Sequence, residues 1–344
     1  MSKSLGFSVY VSHFEKQKPA LEQLKGKGTP IFTSLHMSEE MTRDYVNKVE
    51  DLCQWLAENE FYVIADVSPV TIEKFNEQSL NTLAERLHLN NVRLDYGFDL
   101  DTIELDEALD LTFNASTVRE TDKQFSDALY MHNFYPRPET GLEPEQFVKM
   151  NQAIRAASGR LGAFITGDEE PRGPIYEGLP TLEAHRSQSP YAQYVDLVKR
   201  YDIDNVFVGD VRLSDEELDL ILAYSRDGLV RLPVKFSREN RYLYDQPFTV
   251  RVDSPSTLIR VQESREYAQP GRTVSAAHTT SRTKGSVTLD NEGYKRYSGE
   301  VQITKKDYPA DERVNVIGKI ADNHLLLLDN LSNGDRFMFV EEND

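Results

Sequence analysis

Eight short runs rich in β-branched and aromatic residues recur through the first two-thirds of the chain, and helical patterns lie between most of them. This alternation constrains the fold more than any other feature. Parallel strands need a crossover, usually a helix, to return the chain to the same edge of a sheet. The runs are LGFSVYVS (5–12), PIFTSLH (30–36), FYVIADVS (61–68), NVRLDYG (91–97), LDLTFNAS (109–116), ALYMHNF (128–134), RLGAFITG (160–167) and DNVFVGD (204–210). Stretches such as MTRDYVNKVEDLCQWLAENE and EPEQFVKMNQAIRAAS carry apolar residues at helical spacing between them. Eight such units are the count of a (β/α)8 barrel. A doubly wound open sheet is the competitor, but it should carry a glycine-rich phosphate turn after its first strand, and here HFEKQKP follows. The helices after the fourth and fifth runs must be short, because only about a dozen residues separate those strands.

Near residue 235 the helical spacing disappears. Alternating runs then take over, among them PFTVRVD, STLIRVQES and DRFMFVEE, separated by turn signals such as Ser332-Asn333-Gly334. The expected architecture is α/β: a (β/α)8 TIM-type barrel over residues 1–235, then a small β-barrel domain over residues 236–344.

A net charge of −18 argues against nucleic acid, whose phosphates need a basic face. Local arginines can still hold a small anion. Cys53 is the only cysteine, so no internal disulfide forms, in keeping with a reducing compartment. Its amphipathic surroundings suit a packed thiol. The chain begins without the apolar run of a signal peptide, and no segment approaches a membrane span. A cytoplasmic protein without membrane partners is expected. Nothing in the sequence bears on oligomeric state.

In a parallel barrel the chemistry sits at the C-terminal ends of the strands. Those ends hold Ser12 and His13, His36, Asp66, Asp95 and Tyr96, Asn114 and Ser116, then His132, Asn133, Tyr135 and Arg137, and finally Asp210. The seventh strand runs into GDEEPRGPIYEGLPTLEAHR, which adds Asp168, Arg172 and Glu177. Taken singly, each is as well explained by turn chemistry; Asp66 or Asp210 would cap a following helix. Taken together they describe a polar mouth. No HExxH, Walker or dinucleotide fingerprint is present, and no strand ends in a Schiff-base lysine, so neither metal nor cofactor is expected. Facing carboxylates without a cofactor suit glycoside hydrolysis. Asp95 and Asp168 are the first candidates for the pair, with Glu177 and Asp66 as substitutes. Arg137 and Arg172 offer forked donors for a phosphate or carboxylate.

The segments GFSVYVS, TSLHMSEE, DVSP, VRLDYGF, FNAS, NFYPRPETGL and GDEEPRGPIYEGLPTLEAHR, with GSVTLDNEGYKRYSGEVQI later, resemble the bacterial 6-phospho-N-acetylmuramidase family, whose members were once labelled outer surface proteins. The resemblance implies a cyclophilin-like C-terminal domain and a cytoplasmic glycosidase of peptidoglycan recycling. Its substrate would be a phosphorylated amino-sugar disaccharide, 6-phospho-N-acetylmuramic acid β-1,4-linked to N-acetylglucosamine. Substrate contacts are then expected from His36, Asn114, His132, Asn133, Tyr135, Arg137, Arg172 and Asp210, and from His278 and Arg282 of the second domain. Two other readings stay open: another phosphosugar barrel enzyme, such as an isomerase or aldolase, and a non-catalytic muropeptide-binding protein.

Overall fold

The computed structural model describes residues 3–35, 44–94, 97–98, 105–117, 127–267 and 273–342. The chain forms two compact units, Met1–Arg186 with Tyr201–Ser214, and Ser187–Arg200 with Asp215–Asp344.

The first unit is a closed barrel of eight parallel strands: β1 (Ser4–Ser8), β2 (Pro30–Ser34), β3 (Tyr62–Val67), β4 (Asn91–Leu94), β5 (Asp110–Asn114), β6 (Leu129–Met131), β7 (Arg160–Ile165) and β8 (Asn205–Val208). Each pairs with the next, and β8 closes on β1 from Ser4↔Asn205 to Phe7↔Val208. Helices α1 (Phe14–Leu21), α2 (Tyr45–Glu58), α3 (Pro69–Lys74), α4 (Leu80–Arg86) and α5 (Pro144–Ala156) supply crossovers. Between β5 and β6 the described residues hold only a 3-10 turn, Ala115–Thr117.

Local signals explain the helix boundaries. α2 buries Tyr45, Val49, Leu52, Cys53 and Leu56, one stripe at helical spacing. α3 opens with Pro69 at its first position, and Ser68 and Thr71 cap it reciprocally. Ser68 fills the capping position, so that task does not fall to Asp66.

Alternate strand residues point inward, and Phe32, Ile64, Leu129, Met131, Phe164 and Phe207 pack together as the barrel interior. Phe164 stands edge-on to Phe32, with ring centroids 5.3 Å apart. Burying each such side chain contributes about 1.5–3 kcal/mol. The next inward positions toward the C-terminal ends are Ser34, Asp66, Asn133 and Thr166, where the filling changes from apolar to polar.

The second unit contains α6 (Pro190–Val195) and α7 (Asp215–Asp227), which pack together. Its seven-stranded sheet comprises β9 (Val230–Phe236), β10 (Pro247–Thr249), β11 (Leu258–Arg260), β12 (Ser286–Asp290), β13 (Val301–Thr304), β14 (Val314–Ile320) and β15 (Arg336–Glu341). The order is β10-β15-β9-β14-β12-β13-β11, antiparallel except for the parallel pair β9 and β15. Val234, Val287, Ile303, Phe337 and Phe339 are completely buried in it. Among the described residues no helix is long and apolar enough to cross a membrane.

Candidate active site at the C-terminal barrel mouth

Strand register aligns Ser34, Asp66, Arg93 and Thr112 on four successive strands. Arg93 and Asp66 form an ion pair at 2.9 Å, with both residues buried. The second Arg93 amino group donates to Asn133 Oδ1 and, at 3.5 Å, to the carbonyl of Met131. A guanidinium inside a barrel is tolerated only when its charge and N–H groups find partners, since desolvation alone costs several kcal/mol. Arg93 Nε is buried and has no partner among the described residues. The hydroxyls of Ser8, Ser34 and Thr112 are in the same state. The interior therefore presents one unmet donor and several hydroxyls beside a carboxylate.

His132 follows β6 and is fully buried. Its Nε2 lies 2.7 Å from Asn151 Oδ1 on α5, and its Nδ1 lies 3.4 Å from Ser116 Oγ. Burial, with a smaller push from Arg93, lowers its pKa to about 4, against the pull of Asn151. The ring is thus neutral near pH 7, with its proton facing the Asn151 oxygen. The Asn133 N–H donates to the same Ser116 hydroxyl at 2.9 Å, which fixes the start of the rim after β6.

Two carboxylates build the longest rim. Asp210, after β8, is 1% exposed and accepts backbone N–H bonds from Gly167 (2.9 Å), Arg172 (2.8 Å) and Leu179 (3.1 Å). Burial holds its carboxyl above the usual range, while the three N–H groups and Arg172 pull it back. Gly167 has no room for a side chain, because a Cβ there would collide with the Arg212 carbonyl. Glu183 accepts the N–H groups of Glu139 and Gly141, each at 2.9 Å, and pairs with Arg186 at 2.7 Å. The Arg186 guanidinium, foremost, holds the Glu183 pKa at about 2. Arg186 also donates to the carbonyls of Glu177, Gly178, Tyr135 and Arg137, so the rims after β6 and β7 are stitched together.

The remaining candidates divide clearly. His36 and Asp95 lie outside the described residues. Asp168 is exposed and accepts the Ser214 N–H at 2.8 Å. Glu177 and Arg137 are exposed, and Tyr135 is half-buried, its N–H bonded to the Pro180 carbonyl. Asn114 Oδ1 accepts the Ser116 N–H at 3.0 Å. Arg172 is buried with its guanidinium 4.2 Å from the Tyr10 ring centre. His278 and Arg282 belong to the second unit, where both Arg282 Nε and Nη2 donate to the Pro309 carbonyl at 3.0 Å. Among the described residues, no group of three His, Cys, Asp or Glu is arranged to hold a metal ion.

Sequence reasoning passed over Arg93 and Asn151, and it counted Glu183 and Arg186 among the charges of the seventh rim without pairing them. Arg93 had a signal: a lone guanidinium between Val92 and Leu94 at an inward position of a strand. Asn151 had none, being one polar residue on an amphipathic helix.

Two solved structures resemble the whole chain. A conserved protein of unknown function from Enterococcus faecalis is 30% identical, with a TM-score of 0.80 over 99% of this chain and 97% of its own. An uncharacterized B. cereus protein is 27% identical, with a TM-score of 0.76 over 99% and 100%. No curated protein matches the chain. Residues 5–222 match the family described as 6-phospho-N-acetylmuramidase, N-terminal, and residues 230–340 match its C-terminal counterpart. Matched over nearly its full length by both, the chain belongs to the 6-phospho-N-acetylmuramidase family.

Proposed function

We propose that this protein is a cytoplasmic glycosidase that cleaves the β-1,4 bond between 6-phospho-N-acetylmuramic acid and N-acetylglucosamine during peptidoglycan recycling. The observation that carries the reading is the match of both chain segments to the one family. The polar filling of the barrel mouth supports it, because hydroxyls, amides and a carboxylate suit a hydroxyl-rich substrate.

In this reading residues 1–235 carry the chemistry and the cyclophilin-like residues 236–344 accompany them. One carboxylic acid protonates the leaving oxygen, and a second carboxylate acts as base or nucleophile, or steadies the acetamido group that attacks in its place. Pairing with Arg93 at 2.9 Å favours the ionised form of Asp66. Asp66 therefore takes the charge-stabilising role, and the proton donor comes from Asp95, Asp168 or Glu177. Arg137, whose guanidinium has no partner among the described residues, is the rim cation for the phosphate or the lactyl carboxylate.

Incubation with the phosphorylated disaccharide and with its dephosphorylated form tests the proposal. Release of N-acetylglucosamine from the first alone is expected. Binding without release would make the protein a muropeptide binder instead. Arg137→Gln is expected to raise KM by about tenfold, the value of one charge-assisted hydrogen bond.

A further inference from the structure

The opposite, N-terminal mouth of the barrel holds a cavity of about 410 Å³. The opening residues of every strand except β5 line it, so it occupies the barrel axis itself. Ile64 and Leu129 of the barrel interior form its apolar floor. The volume falls within the ~300–1,000 Å³ range of small-molecule sites, although this face of such barrels ordinarily serves stability.

Its polar groups are only partly spent on one another; Asn205 Nδ2 donates to Ser4 Oγ at 2.6 Å. Asn91 is 1% exposed, and its Oδ1 is a buried acceptor with no partner among the described residues. Its Nδ2 donates to Tyr62 Oη at 3.3 Å, and that hydroxyl in turn donates to Asp110. The acceptor therefore waits for a hydroxyl or N–H donor. Two cations share the lining. Arg160 gives Nε to the Asp127 carbonyl at 3.1 Å, and Lys27 donates to the Gln23 carbonyl at 2.9 Å. Neither has a carboxylate partner among the described residues. The lining carboxylate, Asp204, is already neutralised by Arg155 at 2.8 Å and Lys3 at 3.3 Å. The rim thus offers two cations without carboxylate partners among the described residues, the Asp110 carboxylate is tied to Tyr62, and a hydrogen-bond acceptor lies beneath.

We propose that the N-terminal barrel mouth is a second binding site, for a small hydroxylated anion of the sugar-phosphate or polyol-phosphate class. The anion sits against Arg160 and Lys27, and a hydroxyl donates to Asn91 Oδ1. The site is separate from the candidate active site and does not depend on the glycosidase reading.

Isothermal titration of the full-length chain with glycerol 3-phosphate tests this, with inorganic phosphate and glycerol as separate arms. Glycerol 3-phosphate is expected to bind more tightly than either. Arg160→Gln should weaken it about tenfold, as loss of a charge-assisted bond does. Lys27→Gln, on an exposed loop where folding is not at risk, should weaken it several-fold. Asn91→Leu should abolish the preference over inorganic phosphate while changing the melting temperature little, because removing the unmet buried acceptor offsets the lost Nδ2 bond to Tyr62. Arg137→Gln, at the other mouth, should leave this binding intact. Equal affinity for phosphate and glycerol 3-phosphate, loss of binding only in Arg137→Gln, or no heat from any probe at tens of millimolar would each overturn the proposal.

Discussion

Replacing Asp210 separates a structural carboxylate from one that touches substrate. Two of its three backbone bonds, to Arg172 and Leu179, are buried, and the third, to Gly167, is partly buried. A hydrogen bond to a charged group contributes about 1.5–3 kcal/mol, which puts a ceiling of roughly 4–9 kcal/mol on the set. Burial of the carboxylate opposes this, and Asp210→Ala relieves that cost by several kcal/mol. The net loss is then about 2–4 kcal/mol, concentrated in the rim after β7. Opening of that rim should become roughly 30- to 700-fold more frequent. Asp210→Asn keeps an oxygen for the Gly167 and Leu179 N–H groups but sets an amide N–H against that of Arg172, a loss of about 1–3 kcal/mol. Limited proteolysis within residues 167–186, followed by mass spectrometry under conditions where reclosing outruns cleavage, reads the opening directly. Urea denaturation reads what reaches the whole unit. Wild-type protease resistance in Asp210→Ala would refute the reasoning and return Asp210 to a role at the substrate.

Three further expectations follow from the same kind of accounting. Arg93→Met or Asp66→Asn alone should lower stability by about 3–5 kcal/mol, because each leaves a buried charge without its counter-charge. The double variant should recover at least half of that in urea denaturation, and simple additivity would contradict the pairing. Glu183, held at about 2 against an ordinary 4.5, contributes stability that is present above pH ~4.5 and lost as pH falls through ~2. The gap between wild type and Glu183→Gln should therefore shrink between pH 4.5 and 2, and an unchanged gap would remove the Arg186 clamp as its cause. Burial pushes the Cys53 thiol up to about 12, so iodoacetamide at pH 8 should label it only in denaturant. Rapid labelling of the folded chain, seen by mass spectrometry, would show that the helix stripe is open.

The barrel was legible because its strands repeat one physical pattern, yet their ends were not. ALYMHNF suggested a strand over 128–134, and β6 ends at Met131. Apolar character outlasts the ladder there because Phe134 packs on the barrel interior from beyond the strand. Propensity reports burial rather than pairing. The polar rims were likewise visible by position, but their occupations were not. Asp210 answers to Gly167, Arg172 and Leu179, and Asp66 to Arg93, across separations that no local spacing encodes. A carboxylate that binds backbone and one that faces solvent look identical in sequence until the chain closes.

The Arg186 stitch across the rims after β6 and β7 has a consequence for redesign. One guanidinium holds carbonyls at Tyr135, Arg137, Glu177 and Gly178, so neither loop owns its own shape. Shortening or grafting one of them alone would break donors needed by the other. A change of specificity at this mouth has to exchange both segments as a single cassette, carrying Glu183 and Arg186 along with whatever side chains meet the new sugar.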